Sequence, residues 1–422
     1  MNNPVNILIL AETIDVKRSS AGKANFALIQ ALIESGFKIK TYHFSHIPVR
    51  IEGAETLLIK EKKSDPFYVL SRSQRVLQRM SGKNWSKPLE NRFGFSFTFR
   101  NDVHSMFSAL RNANPDNYDL IITLSKGASY RTHAALLHMP QWHQKWLAYV
   151  HDPYPFHWYP SPYEWHEAGF QQKENFFVEV ARQARWLGYP SQKLADWMGS
   201  FDKNFEEKAV ILPHQAANRE RSSLSQLPVY FDQKKFSVLH AGNLLKQRDP
   251  FPLIKAWELF IEAQPEAKKC VQLLLLGPAS YHEPQLTDVC NAINSIYRSA
   301  GYVAYETVRA LEQQVSVNIV LEAASEISPF LPAKFPGLVQ ANRKIFHIGP
   351  KNSESRRLLG QNYQFAAEAD HVEEIVKNLT ELFSLWQENP ERLTLNRMDL
   401  ITYFSVENSK KIIKNLVENP KN

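Results

Sequence analysis

Short runs of apolar residues alternate along this chain with segments whose apolar residues recur every three or four positions. Residues 6–11 form one such run, and Phe26, Leu28 and Ile29 then follow helical spacing until Gly36. A continuous apolar run is typical of a strand buried on both faces, and the spaced pattern is typical of an amphipathic helix. Their alternation predicts parallel β-sheets covered by helices, which is the α/β class.

The same two patterns recur to the end of the chain. Strands are predicted at 6–11, 37–44, 118–124, 146–150, 186–191, 210–214, 236–240, 271–276, 301–304, 316–321 and 344–348. Helices are predicted at 26–36, 174–185, 192–198, 251–263, 286–299, 334–341, 372–386, 391–398 and 406–417, with further helices starting at 305 and 353. Four phenylalanines alternate with smaller residues at 93–99, which predicts a half-buried strand there.

A lysine stands where one of these predicted helices begins. Residues 316–360 follow the order strand, loop, helix, strand, and the helix starts at Lys334. In a parallel sheet such a helix begins at the carboxyl edge of the preceding strand, where ligands bind. The free N–H groups and the positive end of the helix dipole favour a phosphate there. The positive charge of Lys334 is repelled by that end of the dipole, and a bound anion would offset the repulsion.

Two further cations precede a helix in the second half of the chain. The loop after the strand at 236–240 contains Asn243, Lys246 and Arg248, and a predicted helix follows it. We expect Lys246 and Arg248 to meet the same phosphate groups as Lys334, because an arginine fork can grip two phosphate oxygens. The alternative is a surface cation that caps the loop.

The first half of the chain contains further candidate residues. His151 and Asp152 follow the strand at 146–150 and precede a proline-bounded loop, where an α/β protein builds a site. Gly22 lies in the loop between the first strand and the first helix. For His151, the alternative is a side chain whose hydrogen bonds are satisfied by the local turn. For Gly22, the alternative is a plain strand-to-helix turn. The aromatic residues at 156–166 suit sugar stacking, a membrane interface or packing between domains.

Length and composition indicate more than one hydrophobic core. With 422 residues and 44% apolar content, the chain is expected to form two domains. We expect the first at 1–215, joined by a C-terminal helix at 400–422, and the second at 235–399, with a polar linker at 215–235. The N-terminus lacks a secretion signal, and the chain has only two cysteines. No apolar run approaches the ~20 residues of a membrane span. A reducing, cytosolic setting is therefore expected.

The charge of the chain narrows the choice of partners. The net charge of +7 favours a phosphorylated donor or an anionic membrane surface, or reflects a solvated basic surface. We expect no nucleic-acid partner, because no basic run with interleaved aromatics is present. Arg72, Arg75 and Arg79 recur at helical spacing and would face lipid, an acceptor's phosphate or solvent. No metal-ligand spacing, Walker loop or nucleophile elbow is present, so a reaction without metal or cofactor is expected.

The run Pro332-Ala333-Lys334-Phe335-Pro336-Gly337 carries a family resemblance. It resembles the donor-binding segment of retaining, nucleotide-sugar-dependent glycosyltransferases of the GT-B fold, specifically a polysaccharide-assembling subset of family four. Gly337 stands where that family has its second Glu, which holds the ribose hydroxyls of the donor. Glu326 precedes the family's first acidic position, which falls at Pro329. The resemblance implies two Rossmann-like domains facing each other across a cleft, the first on the acceptor side and the second binding the donor.

The resemblance also implies roles for individual residues. Arg248 stands at the family's phosphate-binding Lys, and Asn243 stands at its Arg. A similar His-Asp turn places His151 near the transferred sugar, and the Glu326 loop is expected at the hydroxyls of that sugar. The nucleotide base is expected beside Gly277 and Val303, held through backbone groups. The donor-binding set is then Gly22, Asn243, Lys246, Arg248, Gly277, Val303, Phe330, Leu331 and Lys334.

These features predict a hexosyltransferase-type glycosyltransferase. It would move a sugar from a nucleotide-diphosphate sugar to a saccharide or lipid-linked acceptor, in cell-surface polysaccharide or glycolipid assembly. The resemblance implies retention of the anomeric configuration, and a location in the cytoplasm or peripherally at the inner membrane face. Two alternatives remain open. One is a non-catalytic scaffold or carbohydrate-binding subunit of the same fold, which Gly337 favours, and the other is a nucleotide-sugar epimerase.

Overall fold

The computed structural model describes residues 4–216 and 227–419 and divides into two compact units. The first unit comprises Met1–Tyr159, Tyr163–Ala217 and Tyr403–Asn422, and the second comprises Pro160–Pro162 and Asn218–Thr402. Each unit is built around its own parallel sheet with helices packed against it. The α/β class predicted from the alternating patterns is therefore confirmed.

Strands and helices alternate through both units. The strands are β1 Asn6–Ala11, β2 Lys38–His43, β3 Ala54–Leu58, β4 Leu120–Leu124, β5 Trp146–Tyr149, β6 Trp186–Tyr189, β7 Ala209–Ile211, β8 Phe236–Ala241, β9 Val271–Leu276, β10 Ile296–Arg298, β11 Val317–Leu321, β12 Ile327–Ser328, β13 Lys344–Ile348, β14 Asn352–Ser353 and β15 Ala366–Ala367. The helices are α1 Ser20–Glu34, α2 Pro66–Ser81, α3 Ser86–Phe93, α4 Phe97–Leu110, α5 Arg131–Leu137, α6 Phe170–Gln183, α7 Gln192–Gly199, α8 Asn204–Glu207, α9 Phe251–Ala263, α10 Ala267–Cys270, α11 Glu283–Ala292, α12 Tyr305–Gln314, α13 Phe335–Ala341, α14 Glu354–Leu359, α15 Val372–Glu388, α16 Met398–Tyr403 and α17 Val406–Glu418.

The first unit contains a seven-stranded sheet in the order β3-β2-β1-β4-β5-β6-β7, and every neighbouring pair is parallel. Successive residues of a strand point to opposite faces. In β1, Ile7 and Ile9 accordingly pack into one core while Leu8 and Leu10 pack into the other. Both faces are covered, which is why the strand is an unbroken apolar run.

The second unit contains a six-stranded parallel sheet in the order β10-β9-β8-β11-β13-β15. Its central strands alternate in the same way. Leu273 and Leu275 of β9 pack into the larger core, and Leu274 and Leu276 pack into the smaller core on the other face. A separate parallel pair, β12 with β14, joins two of the loops that follow the sheet strands.

The C-terminal helix α17 packs on the first unit. Its buried Ile413 and Leu416 belong to the same core cluster as Leu28 and Leu32 of α1. In addition, the Ser35 hydroxyl at the end of α1 donates to the carbonyl of Val406, 3.4 Å away.

The strand predicted at 93–99 is wrong. α3 ends at Phe93, Gly94 takes a positive φ of 79°, and Ser96 caps α4 by accepting a hydrogen bond from the Phe99 N–H. Phe95 stacks on Phe99 with ring centroids 4.2 Å apart. The alternation of phenylalanines therefore marks a junction between two helices, where stacking across the turn replaces a pleated strand.

Three predictions in the second unit also need correction. The helix predicted at 286–299 ends at Ala292, and its last residues form the edge strand β10, which pairs with β9. Residues 301–304, predicted as a strand, form no regular element. The helix predicted at 391–398 is a 3₁₀ turn at Pro390–Leu393 followed by α16. In each case the apolar stretch was too short to distinguish the helical period of 3.6 residues from the strand period of two.

The predicted linker at 215–235 lies partly outside the described residues, which resume at residue 227. From there the chain packs on the second unit. Phe231 is buried in the smaller core, and the ring of Tyr230 stacks on Tyr297 with centroids 3.9 Å apart. Residues 227–235 are thus a packed part of the second unit.

Candidate functional site

The strand order of the second unit reverses direction between β8 and β11. From β8 the sheet continues through β9 to β10 on one side, whereas β11 and the later strands lie on the other side. In an open parallel sheet, loops diverge at such a switch point and leave a crevice outside the carboxyl ends of the strands. Except for Gly22, which lies in the first unit, the predicted donor residues belong to the loops that follow strands of this sheet.

Lys334 lies at this switch point. Its ammonium donates hydrogen bonds to the carbonyl of Ala241 at the end of β8, 3.1 Å away, and to the carbonyl of Ile319 in β11, 3.0 Å away. Burial lowers the pKa of Lys334 from 10.5 to about 8, although Glu312 favours the charged form; repulsion from Arg248 lowers it further. The ammonium of Lys334 is therefore held against both strands of the switch point.

Arg248 and His240 share this corner with Lys334. A Cβ added at Gly242 would lie 3.5 Å from Nε2 of His240 and 4.0 Å from Nζ of Lys334. Burial, and then the charges of Lys334 and Arg248, hold the pKa of His240 well below its ordinary value, so the ring is neutral. Within the described ranges, no carboxylate pairs with Arg248, and its buried Nε has no hydrogen-bond partner. Two cations thus converge around a neutral imidazole.

The loops after β8 and β9 touch through their glycines. Gly277 has a φ of 130°, and a Cβ there would lie 2.4 Å from the carbonyl oxygen of Gly242. The Gly242 N–H donates to the Leu276 carbonyl at 2.8 Å, and the Gly277 N–H donates to Ser299 Oγ at 2.9 Å. Both the left-handed φ and the close approach require glycine at 277.

The remaining predicted donor residues lie around these loops. Asn243 and Lys246 are exposed, and the ammonium of Lys246 sits 5.4 Å from the ring centroid of Tyr281. Val303 is half-buried against the smaller core. In the loop before α13, Phe330 is half-buried and Leu331 is buried.

Gly337 lies against an arginine that the sequence did not single out. Nη1 of Arg309, on α12, would be 2.5 Å from a Cβ at Gly337. The same nitrogen donates to Glu312 at 2.8 Å, and both partners of this ion pair are buried. Burial raises the pKa of Glu312, and Arg309 opposes that rise. A guanidinium therefore fills the space that a side chain at 337 would enter.

A second buried pair supports the loop that follows β11. Oε1 of Glu322 lies 3.1 Å from Nε2 of His347 at the end of β13, and Ser353 Oγ lies 3.4 Å from the same nitrogen. Burial works against ionisation of Glu322, but the hydrogen bond and charge of His347 outweigh it and lower its pKa. Glu326, the predicted carboxylate of this loop, is exposed and lies outside the Glu322–His347 pair.

In the first unit, the order reverses between β1 and β4, and a charged cluster lies at that switch point. Glu12 follows β1 and accepts hydrogen bonds from the Lys126 N–H at 2.5 Å, from Ser129 Oγ and from Nη1 of Arg131 at 3.1 Å. Nε of Arg131 contacts Asp102 at 3.0 Å. Burial raises the pKa of Asp102 to about 6, against the pull of Arg131.

His151 lies at the same edge of the first sheet, after β5. It is 9% exposed, and its ring stacks on His214 with centroids 6.0 Å apart. Burial, followed by the charges of His214 and His133, holds the pKa of His151 well below its ordinary value. Its buried Nε2 has no hydrogen-bond partner among the described residues. The structure therefore presents a neutral imidazole with one unused nitrogen.

Gly22 lies in the first turn of α1. A Cβ there would be 2.2 Å from the carbonyl oxygen of Asp15, so only glycine fits beneath this loop. The Gly22 N–H donates to Ser19 Oγ at 3.0 Å and completes the helix cap. This geometry explains the glycine through loop packing.

The structure thus brings Gly277, Arg248 and Lys334 together around the β8–β11 switch point. Asn243 and Lys246 lie on the exposed part of the loop after β8, which also contains Arg248. Two kinds of residue at these sites were not predicted from the sequence. Glu12 and Glu322 each directly follow a buried strand, and that position was a usable signal. Arg309 and His347 carried none, since each reaches the site only through the packing of separate elements.

The chain resembles solved glycosyltransferase structures over its full length. A glycosyltransferase from Rickettsia africae is 12% identical with a TM-score of 0.62, and the match covers 100% of both chains. The E. coli trehalose-6-phosphate protein bound with UDP-2-fluoro glucose is 10% identical with a TM-score of 0.66, over 98% of this chain and 99% of that one. The trehalose-phosphate synthase of Burkholderia xenovorans in complex with glucose-6-phosphate has the same identity and TM-score, over 98% and 100%.

At such low identity, the likeness concerns the fold. The two parallel α/β units have the architecture of the GT-B glycosyltransferases, as the sequence resemblance implied. No protein-family model matches the chain, and no curated protein matches it in sequence.

Proposed function

We propose that this protein is a glycosyltransferase that moves a sugar from a nucleotide-diphosphate sugar to an acceptor. The observation that carries the proposal is the position of Lys334, bonded to both strands at the β8–β11 switch point with Arg248 close enough to depress its pKa. Two cations that lie close enough to repel each other, of which Arg248 pairs with no carboxylate among the described residues, suit a ligand with two adjacent negative charges. The GT-B fold, shared with a structure that holds a UDP-sugar analogue, supports a nucleotide-sugar donor.

The second unit would bind the donor. Arg248 and Lys334 would hold the diphosphate and stabilise the charge that develops on it as the sugar leaves, which is usually the largest electrostatic contribution to such a reaction. Lys246 and Asn243 would complete this loop on the exposed side. The backbone around Gly277 and Val303 would hold the base. Phe330, Leu331 and the Glu326 loop would contact the sugar, with the Glu326 carboxylate accepting from its hydroxyls.

The first unit would serve the acceptor. His151 would face the anomeric side of the transferred sugar, and its neutral ring and unused Nε2 suit a hydrogen bond to a hydroxyl. The loop before α1, which packs on Gly22, and the Glu12–Arg131 cluster lie on the carboxyl edge of the same sheet, where they would shape the acceptor site.

The finer parts of the proposal come from the resemblance to family four. They are retention of configuration, transfer without a metal ion, a saccharide or lipid-linked acceptor of cell-surface polysaccharide or glycolipid assembly, and a cytoplasmic location with peripheral contact at the inner membrane face. Among residues 4–216 and 227–419, no helix has the length and apolarity to cross a bilayer. In those ranges no three metal-ligating side chains of His, Cys, Asp or Glu type cluster as a metal site.

A second candidate function is a non-catalytic scaffold or carbohydrate-binding subunit with the same fold. The contact between Arg309 and Gly337 favours it, because a guanidinium occupies the place where the resembled enzymes hold the donor ribose with a carboxylate. Such a protein would retain saccharide binding and lose nucleotide binding.

Incubation of the purified chain with UDP-, GDP-, TDP- and ADP-sugars separates the two functions. A glycosyltransferase is expected to be stabilised against heat by one nucleotide series and to release that nucleoside diphosphate slowly through donor hydrolysis. NMR of the released sugar then reports its configuration, and inverted product would refute retention. Absence of both stabilisation and release across the four series would favour the scaffold.

A further inference from the structure

Helix α2 turns its apolar residues to solvent. Six side chains on α2 and the turn that follows it are between 44% and 79% exposed, namely Val69, Leu70, Val76, Leu77, Met80 and Trp85. Within α2 these residues follow the i, i+7, i+8, i+11 spacing of one helix face. We refer to these six residues as the α2 apolar face. A monomer rarely exposes so many large apolar side chains together without a partner for them.

The opposite face of α2 is mostly polar and turned inward, apart from Phe67, whose ring stacks on Phe97 of α4 with centroids 6.3 Å apart. Ser71 is buried and donates to the Tyr68 carbonyl, while the half-buried Gln74 and Gln78 donate to Ser86 Oγ at 3.0 and 3.4 Å. A helix that contributed to the core of this unit would be expected to point its apolar residues inward. The reversed orientation of α2 indicates that a partner outside the chain covers the apolar face.

Basic residues flank this face, and acidic ones are almost absent. Between residues 66 and 93 there are six Lys or Arg residues, all exposed, and a single acid, Glu90, which contacts Lys173 at 3.3 Å. Arg72, Arg75 and Arg79 follow helical spacing along one edge of the apolar stripe. This segment of 28 residues thus carries a net +5 of the chain's +7. The partner must therefore have an apolar region that can bury these side chains and negative charges beside it.

We propose that the α2 apolar face, with Arg72, Arg75 and Arg79, docks on a bilayer surface rich in anionic lipid. An amphipathic helix with apolar residues on one side and a basic edge lies in the plane of such an interface, where it meets acyl chains and anionic headgroups together. Trp85, in the turn after α2, suits the headgroup level, because its exposed ring is apolar and its Nε1–H bonds to Ser81 Oγ, 3.1 Å away. In a symmetric pairing with a second copy, the same arginine rows would face each other.

The inference deepens the peripheral membrane contact included in the proposed function. Binding to vesicles needs neither donor nor acceptor, so the two claims fail separately. A chain that binds vesicles but neither binds nor hydrolyses a nucleotide sugar contradicts the proposed function alone. A chain that releases nucleotide but ignores vesicles contradicts the docking surface and the peripheral membrane contact, and it leaves the glycosyltransferase activity in place.

The test is co-sedimentation of the full chain with vesicles of phosphatidylcholine alone or with 30% phosphatidylglycerol, about one third anionic. Two surface variants are compared, R72Q/R75Q/R79Q and V76S/L77Q/M80Q. The matched control K377Q/K411Q/K414Q removes the same charge from exposed positions of α15 and α17. Since all nine side chains are exposed, each variant is expected to fold, which its thermal midpoint verifies.

We expect the wild type and the control to bind the anionic vesicles, and both surface variants to bind them at least tenfold more weakly. Neutral vesicles should bind none of the four proteins appreciably. Equal losses in the control and in R72Q/R75Q/R79Q would overturn the proposal, because the attraction would then depend on net charge alone. Wild-type binding by V76S/L77Q/M80Q would also overturn it. A third result would also overturn it. If the wild type does not bind vesicles but forms a dimer in sedimentation velocity, and the surface variants do not form that dimer, the occupant of the face is a second copy of the chain.

Discussion

Nη1 of Arg309 lies 2.5 Å from the point where a side chain at Gly337 would place its Cβ. The contact links two helices of the second unit, α12 and α13, and Glu312 fixes the guanidinium from the other side at 2.8 Å. Gly337 is therefore glycine because a buried ion pair occupies its side-chain space. Gly337, which stands where the resembled enzymes have their second Glu, is thus packed against this buried ion pair.

Replacing Gly337 with alanine is expected to destabilise the chain by about 1–3 kcal/mol, the usual effect of overpacking. The added methyl group would push Arg309 away from Glu312 and leave a buried carboxylate without its partner. Chemical denaturation measures the change in the free energy of unfolding. In an R309Q/E312Q background, where a neutral side chain is free to rotate away, the same substitution should have a clearly smaller effect. An equal effect in both backgrounds would show that the contact does not restrict residue 337.

Nucleoside diphosphate binding is expected to weaken as the pH rises through about 8. Burial lowers the pKa of Lys334 from 10.5 to about 8, so the free protein loses this positive charge within the alkaline range. A bound diphosphate stabilises the charged form, which raises the pKa again and couples binding to proton uptake. Titration calorimetry at pH 8.5 in two buffers of different ionisation enthalpy detects that proton.

The K334R variant gives the control for this pH dependence, because arginine stays charged throughout the range. If it folds and binds, its affinity should be flat between pH 7.5 and 9.5. Identical binding heats in the two buffers for the wild type would contradict the assignment of Lys334 to the phosphates.

Two carboxylates in the same loop are expected to behave differently. Glu322 is buried against His347, and removing one partner of a buried pair commonly destabilises a protein by about 3–5 kcal/mol. E322Q should therefore unfold at lower denaturant concentration. Glu326 is exposed, so E326Q should leave the free energy of unfolding unchanged and lower only the rate of sugar transfer. A stability loss in E326Q would place this residue in the fold instead of at the sugar.

Acid unfolding gives a second readout of Glu322. Its folded pKa lies below the ordinary value near 4.5, so the stabilisation it provides is present above that value and is lost as the pH falls through the folded pKa. E322Q should flatten the fall in stability below about pH 4.5. Parallel acid profiles for wild type and E322Q would contradict the lowered pKa.

Replacing His151 is expected to affect the transfer step more than donor binding. H151N keeps a short polar group, yet it loses the Nε2 acceptor that is unused in the structure. We expect a loss of about 10²-fold in kcat, the scale seen when one positioned hydrogen-bonding group is removed, with little change in nucleotide Kd. H214N, which alters the neighbouring ring of the His151–His214 stack, controls for packing. An equal loss of kcat in both variants would indicate that His151 acts through packing.

The sequence predicted the strands of both sheets well where burial was complete. β1, β9 and α9 match their predicted bounds. A six-residue apolar run between polar segments is too short for a typical helix, and α9 keeps the helical period over 13 residues. It failed where segments were short or aromatic. Phe93 to Phe99 alternate in sequence but stack across a helix junction, and β10 at the sheet edge was absorbed into a predicted helix.

The candidate site divides along a similar line. Lys334 and Arg248 could be found, because each follows a strand at the edge where parallel sheets bind ligands. The contacts of Arg309 with Gly337 and of His347 with Glu322 could not, since each joins elements far apart in the chain. The Arg309–Glu312 pair is a local i,i+3 contact on α12, but nothing in the sequence placed it at the site. Glu322 was overlooked in favour of Glu326, although only Glu322 directly follows its strand and is buried.

Calorimetric titration of the second-unit site with nucleoside diphosphates tests most directly whether Arg248 and Lys334 hold a diphosphate. UDP, GDP, TDP and ADP are titrated into the wild type, R248Q and R392Q. R392Q is the matched control, because Arg392 is an exposed arginine that pairs with Glu388. It lies two residues before Thr394, which forms a β-bridge with Arg343 at the start of β13, at the sheet edge opposite the switch-point loops. We predict that one nucleotide binds the wild type and R392Q alike and binds R248Q at least tenfold more weakly, at unchanged thermal stability. Binding of the same strength in all three proteins, or in none of them, would contradict the diphosphate site.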